Sequence, residues 1–257
     1  MTETIPELLN FLIDIAYLAG RKTLAYYQTG VQADYKSDRT PVTMADREAE
    51  KLIRERIEGK YPLHAIVGEE FGDQGGRKAR YRWIVDPIDG TKSFLRGIPL
   101  YAVLIGLEID GYPAAGAAYF PALDEMIYAA DGMGCWWNGR PARVSDVSSL
   151  DGAWITCTDP AGFARHGKGP AWERMLAAGY VHGGWSDAYG YLLVATGRAE
   201  IMLDPVMEIW DCGPFVPILR EAGGYFGDWK GNETIYGREG LATNAHLKQA
   251  AIDVLHG

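Results

Sequence analysis

The sequence predicts an α/β protein whose two halves are organised differently. Residues 1–145 contain two segments with helical periodicity followed by consecutive strands, which is an α+β arrangement. After about residue 145, strands and helices alternate along the chain, as is typical of α/β domains. We therefore predict two domains, 1–145 and 146–257, with no obvious linker between them. A length of 257 residues permits one large domain or two small ones, with a substantial core.

Two helices are predicted near the N-terminus. The first covers residues 5–28, where apolar side chains recur at helical spacing: Leu8, Leu9, Leu12, Ile15, Ala16 and Ala19. Residues 36–43 are predicted to form a loop or a hairpin. The second helix is predicted to run from Thr43, its N-cap, to Gly59. Its solvent-facing side is expected to carry Glu48, Glu50 and Lys51.

The strands of the first half follow these helices. HAIVGEE (64–70) predicts a short buried strand that ends in two glutamates, and FGDQGGRKAR (71–80) predicts a flexible, glycine-rich connection. YRWIVDPIDG (81–90) predicts a second strand. Residues 100–139 predict consecutive strands with tight hairpin turns at Asp110-Gly111 and Asn138-Gly139.

The second half begins with WITCT, a predicted strand, and AWERMLAAG, a predicted helix. SDAYGYLLVATGRAEIMLDP predicts a helix followed by a strand. WDCGPFVPILREAGG predicts a further helix that begins at Asp211 and ends at Gly223-Gly224. This order supports the alternating pattern expected of the second domain.

The charge balance excludes some classes of partner. The chain has 25 basic and 34 acidic residues and a formal charge of -9, which argues against a protein that binds nucleic-acid backbones. A small phosphorylated ligand stays compatible if cations mediate the contact. No apolar run reaches the length of a membrane span, and the acidic N-terminal segment does not resemble a signal peptide. Cys135, Cys157 and Cys212 are predicted to be free thiols in a reducing, cytoplasmic environment.

The segment WIVDPIDGT (83–91) places two carboxylates, Asp86 and Asp89, at the end of an apolar strand. Buried charge is costly unless it is paired or bound to a metal, so these aspartates either face water in a turn or hold a cation. Pro87 restricts the backbone and would hold both carboxylates near one point. Gly90 and Thr91 would then offer backbone N–H groups to an anion at a helix N-terminus.

Further acids stand at the ends of other predicted elements. Glu69 and Glu70 end a strand, Asp211 precedes a helix, and Asp46 lies in a first helical turn. Each has an ordinary explanation, namely a solvated strand end, an N-cap or a helix-dipole contact. Together they predict an oxygen-rich cluster of the kind that suits Mg²⁺.

Four segments resemble signatures of the Mg²⁺-dependent, lithium-sensitive inositol monophosphatase-like phosphatases. They are KSDRTPVTMADREAE (36–50), GEE (68–70), WIVDPIDGT (83–91) and WDCGPFVPILREAGG (210–224). The resemblance extends from Lys36 to the ATNAHL segment at 242–247. It implies a layered α-β-α-β-α sandwich, a metal-dependent phosphomonoesterase and a homodimer.

The resemblance also implies a set of metal ligands. Glu69, Asp86 and the backbone carbonyl of Ile88 would hold one Mg²⁺, and Asp86, Asp89 and Asp211 would hold a second. A third, weaker ion would lie near Glu69. Two ions can sharpen the attacking water and neutralise both oxygens of an in-line displacement.

The remaining site residues follow from the same resemblance. Gly90 and Thr91 would bind the phosphate through their backbone N–H groups. The Thr91 hydroxyl, paired with Asp46, would help Glu69 to orient and deprotonate the water. Lys36 would lie near the metal and phosphate cluster.

The substrate segment at 182–211, together with 91–101 and 226–237, resembles the histidinol-phosphatase subgroup. Asp187 and Glu208 would pair with the cationic end of histidinol phosphate, Trp185 or Tyr189 would pack on its imidazole or ammonium, and Asp89 would also contact the substrate. Alternatively, Asp187 caps a helix and Tyr189 packs inside.

Other functions stay open at this point. Inositol-1-phosphate, a sugar bisphosphate or a 3′-phosphonucleotide would suit the same chemistry. A regulatory protein that binds metal without catalysis is a different class, and the intact acidic residues together with Thr91 argue against it.

Overall fold

The computed structural model describes residues 3–37, 40–184 and 186–257. Its first half contains three helices and ten strands within these ranges: α1 (Ile5–Leu24), β1 (Asp34–Tyr35), β2 (Pro41–Val42), α2 (Met44–Lys60), β3 (Ala65–Gly68), β4 (Gly72–Gln74), β5 (Tyr81–Asp89), α3 (Thr91–Leu95), β6 (Ala102–Ile109), β7 (Tyr112–Phe120), β8 (Glu125–Ala130), β9 (Cys135–Trp137) and β10 (Arg140–Pro141).

The described part of the second half begins with a single 3₁₀ turn, Leu150–Gly152, and continues with six helices and five strands. These are β11 (Trp154–Thr156), α4 (Pro160–Arg165), α5 (Gly169–Ala178), β12 (Val181–Gly183), α6 (Ala188–Ala195), β13 (Ile201–Asp204), α7 (Ile209–Cys212), α8 (Phe215–Glu221), β14 (Gly224–Gly227), β15 (Gly240–Asn244) and α9 (Lys248–His256). No helix of the described ranges is long and apolar enough to cross a membrane.

The two halves form separate sheets. The first sheet has the order β10-β9-β8-β7-β6-β5-β3-β4, and its pairs are antiparallel except for β3 with β5. The second sheet has the order β12-β11-β13-β15-β14, in which β11 runs parallel to both β12 and β13. The sheets come from residues 65–141 and 154–244, and the division into domains 1–145 and 146–257 stays a prediction.

The strands and helices stack in five layers. Side chains of β5 alternate, so that Trp83 packs with α1 and α2 while Ile84 faces α8. The cluster that contains Ile84 also includes apolar residues of α6, α8 and the inner face of the second sheet. The outer face of that sheet packs on α5 and α9. The order is therefore helices, sheet, helices, sheet, helices, and the predicted α-β-α-β-α sandwich is confirmed.

Most predicted boundaries agree with the structure to within a few residues. The hairpin turns have positive φ at both central residues, 52° and 80° at Asp110 and Gly111 and 47° and 73° at Asn138 and Gly139. The three cysteines are buried and free, as predicted. Residues 71–80 differ from the prediction because they contain β4, which pairs with β3.

The helix predicted to begin at Asp211 is instead two short helices, α7 and α8. Pro214 lies between them, and a proline inside a helix lacks the N–H that the preceding turn needs. Glu208, rather than Asp211, occupies the N-cap of α7. Asp211 lies in the first turn, where its carboxylate accepts a hydrogen bond from the Glu208 N–H at 2.8 Å.

The prediction that Glu50 faces solvent is wrong. Its side chain is 0% exposed, whereas Glu48 and Lys51 on the same helix are 35% and 70% exposed. The Glu50 carboxylate is buried because it accepts hydrogen bonds from Arg54 and from the backbone of Glu70 and Phe71.

Candidate active site

A bulge in β5 brings two aspartates to the same face of the first sheet. Residues three apart in a regular strand point to opposite faces. Here Asp86 lies opposite Leu104 and Asp89 lies opposite Ala102, so the intervening Pro87-Ile88 segment adds one residue relative to β6. Pro87 has no N–H to lose from the strand pairing, and bulges of this kind re-aim side chains next to active sites.

Asp211 joins these two aspartates from the first turn of α7. Carboxylate oxygens of Asp86, Asp89 and Asp211 all lie within 4.8 Å of one another. Asp86 also accepts a hydrogen bond from the Ile88 N–H at 3.0 Å, which fixes the bulge against its own side chain. The three residues predicted to share the second metal are therefore brought together.

The electrostatics of this cluster favour a bound cation. Burial, followed by repulsion from neighbouring carboxylates, raises the pKa of Asp86 and of Asp89 well above the usual range. Burial likewise raises the pKa of Asp211 to about 7. No ion pair within the described residues includes any of the three. A set of hard oxygen donors without an internal counter-charge fits Mg²⁺.

Glu69 lies beside this cluster and is held by a cation of the chain itself. The Lys36 ammonium is 2.7 Å from an oxygen of Glu69 and 2.7 Å from an oxygen of Glu70. Burial opposes the charge on Lys36, but the hydrogen bonds to both glutamates outweigh it and raise the lysine pKa. Burial raises the pKa of Glu69 despite this lysine.

Asp46 and Thr91 meet below the cluster, as expected. Asp46 accepts hydrogen bonds from the N–H and hydroxyl of Thr43 at 2.7 and 2.6 Å. The Thr91 hydroxyl lies 3.4 Å from Asp46 and 3.1 Å from the carbonyl oxygen of Ile88. Burial raises the pKa of Asp46 to about 6.

Gly90 and Asp187 face each other across the seam between the halves. Gly90 has φ 79° and ψ 40°, and a Cβ at this position would meet the Asp187 carboxylate at 2.9 Å, so both conformation and space require glycine. Asp187 itself has φ 44° and ψ −143°, a sparsely populated region for any residue other than glycine. Its carboxylate accepts a hydrogen bond from the Ser93 hydroxyl at 3.0 Å.

A cavity of about 400 Å³ opens above these groups. Its lining includes Glu69, Asp86, Asp89, Asp187 and Asp211. The lining also includes residues of the second half that the sequence interpretation did not single out: Thr158, Asp159, Arg165, His166, Asp204, Val206 and Met207. Several of these belong to α4 and its N-cap, which carried no recognisable functional motif.

Asp204 is the missed residue with the clearest signal, because it ends the apolar strand β13 as Asp86 and Asp89 end β5. Its carboxylate accepts hydrogen bonds from the N–H and hydroxyl of Thr158 at 3.0 and 3.1 Å and from the Tyr191 hydroxyl at 2.9 Å. Burial raises its pKa to about 6.

Two of the predicted substrate contacts lie away from the cavity lining. The Tyr189 ring packs edge-on against Phe120 with centroids 5.1 Å apart, as in the alternative interpretation. Glu208 accepts a hydrogen bond from Arg238 at 3.0 Å. Neither side chain lines the cavity, so neither carries the proposal below. Trp185 lies outside the described residues.

A comparison with models of protein families identifies the family of this chain. The model of the inositol monophosphatase family matches residues 5–256, which is nearly the whole chain. The chain belongs to the inositol monophosphatase family. It is a phosphatase that acts on small phosphate monoesters. The family is generally metal-dependent, and Asp86, Asp89 and Asp211 form an acidic group that could hold a metal ion.

Individual relatives differ in the function for which they are named. The chain is 42% identical over 242 residues to the histidinol-phosphatase of Chlorobaculum parvum, with 91% of each chain covered. It is 33% identical over 250 residues to the inositol-1-monophosphatase of Mesorhizobium japonicum, covering 95% of this chain and 94% of that protein. The crystal structure of the extragenic suppressor protein suhB from Bartonella henselae matches with a TM-score of 0.89 and 30% identity, covering 96% and 98% of the two chains.

Proposed function

We propose that this phosphatase hydrolyses histidinol phosphate to histidinol and inorganic phosphate, with Mg²⁺ as its cofactor. The observation that carries the proposal is the convergence of Asp86, Asp89 and Asp211, the first buried and the other two half-buried, in a cavity that Asp187 also lines. Asp86, Asp89 and Asp211 would bind the phosphate of the substrate through a cation. Asp187 would place a negative charge near the rest of the substrate. Relatives named histidinol-phosphatase at 42% and 36% identity support the same substrate.

The metal ligands are proposed on the contacts around β5. Glu69, Asp86 and the Ile88 carbonyl would hold one ion, and Asp86, Asp89 and Asp211 a second, with a third and weaker ion near Glu69. Bound Mg²⁺ would supply an activated water and would neutralise the phosphate oxygens. One oxygen of Glu69 is paired with the Lys36 ammonium at 2.7 Å, so its second oxygen would be the one that binds an ion.

The chain's own groups then orient the reaction. The backbone N–H groups of Gly90 and Thr91 would bind the phosphate, since Gly90 is free of a Cβ and its left-handed conformation turns the chain into α3. Glu69 would hold the proton taken from the attacking water. The Thr91 hydroxyl lies between Asp46 and the Ile88 carbonyl, where it would help to fix the position of that water.

The proposed preference for histidinol phosphate depends on Asp187. Histidinol phosphate carries an ammonium and an imidazole, whereas inositol-1-phosphate carries only neutral hydroxyl groups beyond its phosphate. A carboxylate at the cavity wall would accept a charge-assisted hydrogen bond from the ammonium. The unusual backbone conformation of Asp187 supports a functional role, since such conformations persist where the surrounding structure enforces them.

Release of inorganic phosphate from purified protein tests this function. Histidinol phosphate should be hydrolysed with Mg²⁺ and should have a higher kcat/KM than inositol-1-phosphate. A preference for inositol-1-phosphate would refute the substrate while leaving the phosphatase class in place. That outcome is the second candidate, favoured by the relative named inositol-1-monophosphatase at 33% identity.

A further inference from the structure

Glu50 is a buried carboxylate that the proposed mechanism does not use. It lies in the middle of α2 with a 0% exposed side chain, a costly position for a glutamate unless its oxygens are satisfied. One oxygen accepts a hydrogen bond from the Glu70 N–H at 2.7 Å. The other accepts from the Phe71 N–H at 3.2 Å and from Arg54 Nε at 2.8 Å.

These contacts fix the turn that carries Glu69. The turn lies between β3 and β4, and its first N–H, that of Glu69, donates to the Val85 carbonyl of β5 at 3.2 Å. The next two N–H groups donate to Glu50. Arg54 completes the arrangement because it also donates to the Gly72 carbonyl at the other end of the turn. The backbone on both sides of the Glu69 side chain is therefore held by fixed partners.

Gly68 shows how closely the Glu50 carboxylate fits this turn. A Cβ added at Gly68 would lie 2.1 Å from one Glu50 oxygen and 2.4 Å from its carboxyl carbon. No rotamer adjustment of an alanine methyl relieves such an overlap, so Glu50 would have to move. The backbone of Gly68 is an ordinary strand, and the space for the carboxylate is the reason for glycine there.

We propose that Glu50 is a positioning residue that aims the Glu69 carboxylate at the metal site by fixing the backbone of the turn. It contacts neither the cavity nor the phosphate-binding segment, and it acts through Glu69. The inference rests on the proposed role of Glu69 as a metal ligand. Groups that orient metal ligands in this way are typically worth about 10- to 100-fold in metal affinity.

The test is Mg²⁺ binding to the metal-free protein by isothermal titration calorimetry, with the Mg²⁺ dependence of kcat measured in parallel. Glu50→Gln should weaken Mg²⁺ binding by about 10- to 100-fold. In the variant, the glutamine NH₂ group replaces one of the two carboxylate oxygens. It would then face the Glu70 N–H in one orientation, or the Phe71 N–H and Arg54 in the other. These groups are all donors, so at least one hydrogen bond to the turn is lost. Glu55→Gln is the matched control, because Glu55 lies on the same helix with a 64% exposed side chain.

Two more variants separate positioning from simple charge balance. If Glu50 merely neutralises Arg54, then Glu50→Gln/Arg54→Gln should recover wild-type Mg²⁺ affinity, and that recovery would overturn the proposal. Gly68→Ala should weaken Mg²⁺ binding without changing any charge, and should add little when combined with Glu50→Gln because both displace the same carboxylate. Gly68→Ala carries the test alone if circular dichroism shows that Glu50→Gln does not fold.

Glu69→Gln distinguishes the positioning role of Glu50 from the metal-ligand role of Glu69 on which it rests. Weakened Mg²⁺ binding in Glu69→Gln with wild-type binding in Glu50→Gln and Gly68→Ala would overturn the positioning role alone. Unchanged Mg²⁺ binding in Glu69→Gln would overturn both proposals.

Discussion

Replacing Asp187 by asparagine removes one negative charge from the cavity and keeps the size of the side chain. Asparagine also has the same branching as aspartate, so it keeps the packing around the unusual backbone conformation at this position, which alanine would not. The amide oxygen can still accept the hydrogen bond from Ser93. The substitution therefore isolates the charge that the substrate ammonium would meet.

The expected magnitude follows from the number of acidic groups that reach the substrate. Two contacts, from Asp187 and Glu208, were expected from the sequence, but Glu208 pairs with Arg238 and does not line the cavity. One charge-assisted contact is worth about 1.5–3 kcal/mol. The kcat/KM for histidinol phosphate should therefore fall roughly 10- to 150-fold in Asp187→Asn.

Phosphate release from two substrates measures this effect against an internal control. p-Nitrophenyl phosphate has no ammonium group that could contact Asp187, so its kcat/KM should change little. Asp151→Asn is the matched control variant, since it makes the same chemical change at an exposed aspartate outside the cavity. Equal losses of Asp187→Asn on both substrates would place Asp187 in the scaffold and refute the reasoning. A loss in Asp151→Asn as large as that in Asp187→Asn would do the same.

Four further outcomes are expected. Chelation should abolish activity and Mg²⁺ should restore it, while Ca²⁺ should inhibit because its looser coordination positions water poorly; full turnover in excess EDTA would contradict a metal mechanism. Asp211→Asn should lower kcat by several orders of magnitude with the fold intact by circular dichroism, and retention of more than about a tenth of the rate would exclude Asp211 as a ligand. Burial raises the pKa of Asp211 from 3.8 to about 7, so between these pH values the folded metal-free protein holds a proton that the unfolded chain has released. The melting temperature in EDTA should therefore fall as the pH rises from about 4 to about 7, and Mg²⁺ should reverse this trend. Light scattering should give the mass of a homodimer, as the family resemblance implies, and a monomer mass at micromolar concentration would count against it.

The sequence predicted the elements whose signals are local. The two hairpin turns were predictable because Asp-Gly and Asn-Gly accept positive φ. The N-terminus of α2 was predictable because Thr43 accepts a hydrogen bond from the Ala45 N–H. The acids at the ends of several elements indicated an oxygen-rich cluster, but the assignment of Asp86, Asp89 and Asp211 to one shared ion came from the family resemblance, since nothing in their spacing brings α7 to β5.

The prediction for Glu50 was wrong because the direction of its side chain is set by distant partners. Glu50 stands at a polar position of an amphipathic helix, and the N–H groups that bury it lie about twenty residues further along the chain. Tyr189 and Glu208 are close in sequence to cavity residues, yet each is directed by a contact outside the cavity, with Phe120 and Arg238 respectively. The periodicity of a sequence shows which face of a helix or strand a residue lies on. It does not show which distant groups contact that residue in the fold, and these contacts decide whether a charged side chain there is buried or exposed to water.

The first residue of α6 donates its backbone N–H to a carboxylate oxygen of Asp89 at 2.8 Å. Asp187 immediately precedes that residue, so the group proposed to choose the substrate and a proposed metal ligand are linked through this hydrogen bond and one peptide unit. A cation bound by Asp89 would therefore also act on the placement of Asp187. Binding linkage is reciprocal: if bound metal raises the affinity for substrate by some factor, bound substrate must raise the affinity for metal by the same factor.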